Sequence, residues 1–129
     1  MSCTIIFVRH GQSIANIEGF FAGQIDAPLT SVGLNQAKLT ANYIKQNYLV
    51  DKVYVSDLSR AYKTGEIIAK TCHCEIEENK NFREIFAGDW QGEKFENLIK
   101  NFDGYQVWLK DIGFAIISPV LYALDKSLT

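Results

Sequence analysis

The sequence predicts an α/β domain with a mostly parallel sheet flanked by helices. Short apolar runs rich in β-branched residues alternate with segments of helical periodicity, and the first two runs each end in a polar loop. The chain has 129 residues, of which 47% are hydrophobic and 22% charged, as in a globular protein of one domain. We therefore expect a single domain over residues 1–129.

The first predicted unit consists of a strand, a long loop and a helix. Residues 4–8 form a β-branched apolar run, which is typical of a strand buried on both faces. The chain then stays polar and rich in glycine as far as Pro28, which predicts a loop, and Thr30 can cap a helix. The face of that helix recurs at steps of three and four: Leu34, Ala37, Ala41, Ile44 and Tyr48.

The second unit repeats this order of elements. Residues 53–55 predict a short strand, and Ser56 or Asp57 can cap the helix that follows. The predicted apolar face of this helix comprises Leu58, Ala61, Gly65, Ile68 and Cys72. Because two of these residues are small, we expect the helix to approach the sheet closely.

The remaining elements are shorter. Residues 75–77 predict a third, polar strand, and the glycines around Trp90 predict a loop. A short amphipathic helix is predicted from the spacing of Phe95, Leu98, Ile99 and Phe102, and a further helix over residues 105–112. We expect Trp90 and Trp108 to belong to the core or to a pocket wall.

Composition excludes several classes of function. The formal net charge is −2, so the chain has no basic excess to bind a nucleic-acid backbone. Its apolar runs are too short to span a bilayer, which predicts no membrane partner. The first residues lack a basic segment followed by a long apolar stretch, so no signal peptide is expected and a cytoplasmic location is predicted.

The cysteines agree with a reducing compartment. The chain has three of them, an odd number that excludes a full disulfide framework. Cys72, His73 and Cys74 are contiguous and suggest a metal site as an alternative, but adjacent ligands diverge and no second cluster completes a set of four. The sequence therefore predicts no metal.

Two loops carry residues suited to phosphate chemistry. Arg9 and His10 follow the first predicted strand, and Arg60 follows the second in the first turn of a helix. Because parallel strands end at one edge of a sheet, we expect these three side chains to converge. Guanidinium groups match phosphate oxygens in pairs, and a neutral imidazole can accept a phosphoryl group. A carboxylic acid of raised pKa could then protonate the leaving alkoxide, without Mg²⁺.

Four blocks of residues follow one another along the chain. They read Phe7-Val8-Arg9-His10-Gly11-Gln12-Ser13 with Asn16, then Asp26-Ala27-Pro28-Leu29-Thr30 with Gly33 and Gln36, then Val55-Ser56-Asp57-Leu58-Ser59-Arg60 with Thr64, then Arg83-Glu84-Ile85 with Gly88, Trp90 and Gly92. In this order and spacing they resemble the histidine phosphatase superfamily, also called the phosphoglycerate mutase-like family. The resemblance covers residues 4–100.

The resemblance implies a role for each matching residue. His10 would be the phosphorylated nucleophile and Glu84 the proton donor. The substrate phosphate would be bound by Arg9, Asn16 and Arg60, with the backbone of Gly23 and Gln24 at the substrate mouth. The family implies a small phosphorylated substrate and no cofactor. The block after Glu84 looks more like phosphatases of the α-ribazole-phosphate and broad-specificity type than like mutases.

One part of the family pattern is missing. The family has a second catalytic histidine in a His-Gly step, whereas this chain has two histidines and the other, His73, lies in the wrong block. Residues 116–126 do not match the expected segment. The sequence therefore predicts a domain that lacks the family's C-terminal strand and helix elements, with weakened activity and exposed strand edges prone to self-association. We also hypothesise that residues 116–124 fill part of the vacant strand position.

Several alternatives stay open. Instead of an enzyme, the chain could be a non-catalytic remnant that at most binds phosphate-bearing ligands, and a phosphoglycerate mutase is a weaker alternative. A dinucleotide-binding domain is disfavoured because the first loop lacks the spacing of its glycines. For the acid, Glu84 competes with Glu18, Glu66 and Glu93.

Overall fold

The computed structural model describes residues 2–102 and 104–106. Its elements in chain order are α1 (Ile14–Glu18), α2 (Ser31–Asn47), β1 (Lys52–Val55), α3 (Ser59–Cys72), β2 (Glu75–Glu78) and α4 (Phe95–Asn101), with short 3₁₀ turns at Lys80–Phe82 and Gly88–Trp90. Strands β1 and β2 pair in parallel, from Lys52 opposite Glu75 to Val55 opposite Glu78. Helices against a parallel sheet confirm the predicted α/β class.

Helix α2 begins where the sequence predicts. The Thr30 hydroxyl accepts a hydrogen bond from the Gly33 N–H at 3.1 Å, which satisfies one of the free donors of the first turn. Its buried stripe contains Ala37, Ala41 and Ile44, as the spacing predicts. Ala41 and Ile44 meet Ile68 of α3 in the main core cluster of the described residues.

Helix α3 lies close to the sheet because Gly65 faces β1. A Cβ built on Gly65 would lie 2.8 Å from the Val55 Cγ2 atom, so the absent side chain permits the approach. The buried face includes Ile68, as predicted, but also Arg60 and Thr64, which the apolar pattern does not reveal.

The prediction that Ser56 or Asp57 caps α3 is wrong. The residue before the helix is Leu58, which offers no capping side chain. Instead, the Asp26 carboxylate accepts hydrogen bonds from both the backbone N–H and the hydroxyl of Ser59, each at 2.6 Å. The Asp57 carboxylate forms an ion pair with Arg83 and does not cap the helix. A distant segment of the chain therefore supplies the cap, which local sequence cannot show.

The predicted strand over residues 4–8 is also wrong, because the structure gives this segment no strand. Ile5 and Ile6 are 47% and 36% exposed, whereas Val8 packs against the main core cluster. A strand requires a hydrogen-bonded neighbour, and within the described residues β1 pairs with β2 only. The segment has the propensity of a strand, but no other described segment pairs with it.

A second cluster lies under the loop around Trp90. Its buried members are Phe21, Leu98 and Tyr105, and Trp90 packs edge-on against Phe21 and Tyr105. Trp90 is therefore part of a core, as predicted. Backbone hydrogen bonds from Phe21 to Glu93 and from Gly92 to Phe21 attach this loop to the chain after α1.

The hypotheses about residues 116–124, Trp108 and the predicted helix beyond residue 106 concern positions outside the described residues. Among the described helices, none has the length and apolar character needed to cross a membrane.

Candidate active site

The segment that carries Arg9 and His10 is fastened by two helices. The Gly11 N–H donates to the Thr64 hydroxyl at 3.1 Å, and that hydroxyl donates to the Arg60 carbonyl at 2.8 Å. On the other side, the Gln12 N–H donates to the Gln36 side chain of α2 at 2.9 Å. These bonds connect the loop to α2 and to the turn of α3 that bears Arg60.

Two glycines bring the backbones of the loop and α2 into contact. A Cβ on Gly11 would lie 2.2 Å from the Gly33 carbonyl oxygen, and a Cβ on Gly33 would lie 2.1 Å from the Gln12 carbonyl oxygen. Both obstacles are backbone atoms, which cannot turn aside as a side chain can. The place of the loop on α2 therefore depends on the absence of both side chains.

His10 is held in one orientation. Its Nδ1 atom lies 2.7 Å from the Gly11 carbonyl oxygen. Since a carbonyl only accepts, Nδ1 carries the proton in this bond, which leaves Nε2 without one in the neutral ring. Burial lowers the pKa of His10, the bond to Gly11 opposes this, and the positive charges of Arg60 and Arg9 lower it further. The ring is therefore neutral, with a free lone pair, near pH 7.

A cleft of about 270 Å³ opens beside the ring. It is lined by Arg9, His10, Gln12, Asn16 and Gln36. The Asn16 Oδ1 atom accepts from the Ser13 N–H at 2.8 Å and from its hydroxyl at 3.0 Å, in the cap of α1. The amide oxygen is thereby occupied, so the part of Asn16 that can bind a ligand is its NH₂ group, a donor suited to an anion.

Arg60 is buried, with 4% of its surface exposed. Its Nη1 donates to the Ile25 carbonyl at 2.7 Å and its Nη2 to the Gly23 carbonyl at 2.6 Å. Burial lowers the pKa of Arg60, while the charges of Glu84 and Asp26 oppose the shift. A guanidinium has five N–H donors, so Arg60 can hold the loop over residues 23–25 and still donate to a ligand.

Glu84 is half-buried in the loop that precedes Trp90. Burial raises the pKa of its carboxyl group, while the Ile85 N–H, Arg60 and Arg9 act in the other direction. A carboxyl group of raised pKa can hold a proton closer to neutral pH than an ordinary glutamate. Glu66, an alternative acid, instead pairs with Lys63 and Lys70, which lower its pKa.

The predicted residues converge. The charges of Arg9 and Arg60 act on both His10 and Glu84, so these four side chains share one electrostatic environment. Gly23 and Gln24 are attached to it because Arg60 binds the carbonyl of Gly23, and Gln24 donates to the Glu84 carbonyl at 3.1 Å. Asn16 joins Arg9 and His10 in the cleft.

Sequence reasoning missed the residues that support this group. Thr64 and Gln36 belong to the matched blocks but were given no role, and the sequence did not connect Asp57, a candidate helix cap, with Arg83. The spacing of the blocks was a usable signal for Thr64, four residues after Arg60 on the same helical face. Asp57 and Arg83 are 26 positions apart, a separation that no local pattern connects.

The comparison with known proteins gives the family. The pattern of the histidine phosphatase superfamily (branch 1) matches residues 5–114. The chain belongs to this superfamily. Its relatives include both phosphatases and mutase-like proteins.

Individual relatives agree with this assignment. The metal-independent phosphoserine phosphatase of Arabidopsis thaliana is 42% identical over 89 residues, which are 68% of this chain and 37% of that protein. The adenosylcobalamin/alpha-ribazole phosphatase of Escherichia coli is 29% identical over 110 residues, or 84% and 54% of the two chains. The phosphoserine phosphatase of Entamoeba histolytica, solved with 3-phosphoglyceric acid, superposes with a TM-score of 0.68 at 35% identity, covering 78% and 49%.

These comparisons confirm the resemblance and the fold class. The chain spans about half the length, or less, of the relatives it matches. The superfamily is therefore known, whereas the reaction and the roles of the residues are matters for proposal.

Proposed function

We propose that the chain acts on a small phosphomonoester through a phosphohistidine formed on His10. The observation that carries this proposal is the fixed His10 ring, whose unprotonated Nε2 belongs to the same environment as two arginines and a carboxyl group of raised pKa. Such a set suits attack on a phosphate whose negative charge the arginines offset.

The reaction has two steps. In the first, His10 Nε2 forms a bond to phosphorus, the bond between phosphorus and the ester oxygen breaks, and Glu84 gives its proton to the leaving alkoxide. In the second, a water molecule attacks phosphorus, Glu84 takes its proton, and the bond between nitrogen and phosphorus breaks to release phosphate. Arg9, Arg60 and the Asn16 amide bind the phosphoryl oxygens throughout.

The rate of these steps depends on the donors that surround the phosphoryl group. His73 cannot replace the family's second catalytic histidine, because it follows the last residue of α3, whereas Arg60 lies in the first turn. At the rise of a helix they are about 20 Å apart. Losing one preorganised donor costs roughly 3–4 kcal/mol, or about 100- to 1000-fold in rate, so we expect weak turnover by these residues alone.

A second candidate is a domain that binds phosphate without turnover. One observation favours it: part of the Arg60 guanidinium is occupied by backbone carbonyls. A cytoplasmic location is compatible with both candidate functions and stays a prediction.

Hydrolysis of an aryl phosphomonoester in the presence of EDTA separates the two candidates. The wild type, His10→Ala and the matched control His73→Ala are compared after circular dichroism has shown that all three are folded. We expect turnover in the wild type and in His73→Ala, and its loss in His10→Ala. Equal rates in all three folded proteins would favour binding without catalysis.

A further inference from the structure

The loop that carries Glu84 leaves its two large apolar side chains exposed, and of its apolar residues Ala87 packs against the cluster of Phe21, Leu98 and Tyr105. Residues 84–87 form no helix or strand, and Ile85 and Phe86 are 42% and 70% exposed. A buried position for Glu84 therefore needs other attachments. One is the ion pair of the neighbouring Arg83 with Asp57, and others are hydrogen bonds from Gln24 to Glu84 and from Ala87 to Gln91.

Gln91 joins two loops through one atom. Its Oε1 accepts from the Gln24 N–H at 3.0 Å and from the Ala87 N–H at 3.2 Å. Because both partners are donors, the atom facing them must be the oxygen, which fixes the orientation of the amide. One side chain therefore satisfies a backbone donor on each loop.

Gln24 completes the connection in the opposite direction. Its Nε2 donates to the Glu84 carbonyl at 3.1 Å, so the main chain of the acid residue is bound to the same residue whose backbone N–H Gln91 accepts. The Gln24 loop is itself held by Arg60 through the carbonyls of Gly23 and Ile25. The contact is tight: a Cβ on Gly23, whose φ is +55°, would lie 2.5 Å from Gln91 Oε1.

We propose that Gln91 is a positioning residue that fixes Glu84 relative to Arg60 by joining the two loops. The inference rests on the proposed function, in which Glu84 supplies the proton. The Gln91 Oε1 atom is occupied by the Gln24 and Ala87 N–H groups, so it acts through the loop of Glu84 and not on the substrate. A proton donor must lie within hydrogen-bond reach of the leaving oxygen, and an unattached exposed loop would not keep it there.

The titration of the Glu84 carboxyl group reports this role without requiring turnover. Burial is the larger influence on the Glu84 pKa and raises it, whereas the charged groups that face it, Arg9 from the first loop and Arg60 from α3, lower it. If the loop detaches, water reaches the carboxyl group and the arginines recede. The first change dominates, so the pKa falls towards that of an ordinary glutamate.

The experiment follows the Glu84 carboxyl carbon by ¹³C NMR, assigned with Glu84→Gln, and the exchange of the Gln24 and Ala87 amide protons. Three variants are compared. Gln91→Met removes the oxygen at similar size, and Gln91→Asn shortens the side chain by one carbon, so that its oxygen lies farther from the two amides. Gln91→Glu keeps an oxygen acceptor. Gln46→Met is the matched control, because Gln46 is exposed on α2.

We expect Gln91→Met to lower the midpoint of the Glu84 titration and to speed exchange of both amides at least several-fold. Slow exchange should return in Gln91→Glu and persist in Gln46→Met. If Gln91→Met does not fold, Gln91→Asn carries the same expectation. An unchanged Glu84 midpoint in a folded variant would overturn the inference, even with faster amide exchange. Absent hydrolysis with a shifted midpoint would count against the proposed function alone.

Discussion

Two segments with similar sequences have different structures in this protein. Residues 4–8 and β1 (Lys52–Val55) are both short and rich in β-branched residues, yet only β1 forms a strand. β1 pairs with β2 along its whole length and is covered by α3, where Gly65 allows close contact. Residues 4–8 have no strand partner among the described residues and leave Ile5 and Ile6 exposed. Propensity selects candidates for strands, and neighbours decide which of them form.

The largest difference should appear on truncating Ile68 of α3, whose cluster packs against Val53 of β1, and Ile6 of the segment 4–8. Ile68→Ala removes a side chain that is 5% exposed, and we expect it to lower the free energy of unfolding by about 3 kcal/mol. Ile6→Ala, at 36% exposure, should lower it by less than about 1 kcal/mol. Urea denaturation measures both, and equal losses would contradict the comparison.

A smaller loss of stability should appear where the loop after residues 4–8 contacts α2. Gly33→Ala places a Cβ against the Gln12 carbonyl, and we expect it to lower the free energy of unfolding by about 2 kcal/mol despite the better helix propensity of alanine. Gly104→Ala is the control, because its nearest neighbour is an ordinary contact at 3.8 Å. A stabilised Gly33→Ala variant would show that the loop does not rest on α2.

The cap of α3 should contribute less again. Asp26→Ala removes both hydrogen bonds to Ser59, and we expect a loss of about 1 kcal/mol, the usual value of a helix cap. Asp89→Ala, at an exposed position, should change little. Thermal unfolding of the two variants compares them, and similar melting temperatures would mean that Asp26 does not cap the helix.

The smallest effect is the contribution of Glu84 to the pH dependence of the free energy of unfolding. The folded-state pKa of Glu84 is raised by burial, so the folded protein binds its proton more tightly than the unfolded chain does. Stability therefore falls as pH rises from the ordinary pKa of glutamate through the raised one. Glu84→Gln should remove this part of the pH dependence, measured by urea denaturation across that range. Parallel profiles of the two proteins would refute a raised pKa.

Much of this structure follows from the sequence, and the exceptions have physical reasons. Thr30, the stripe of α2 and the strand at β1 were predictable because caps and periodicity are local signals. The group around Arg9, His10 and Arg60 was expected from two parallel strands ending at one edge, but residues 4–8 form no strand. The bond from Gly11 to Thr64 instead holds this loop beside α3. Asp26 as a cap and Gln91 as a link were not, because each joins segments dozens of positions apart.

The central claim is that His10 accepts a phosphoryl group, and trapping that group tests it most directly. The protein is mixed briefly with an aryl phosphate, and the reaction is quenched in base, where phosphohistidine is stable. The intact mass of the protein is then measured by mass spectrometry. We predict the mass of one added phosphoryl group in the wild type and in His73→Ala, absent from His10→Ala. A folded wild type that acquires no phosphoryl group, or an equal gain in His10→Ala, would contradict the account.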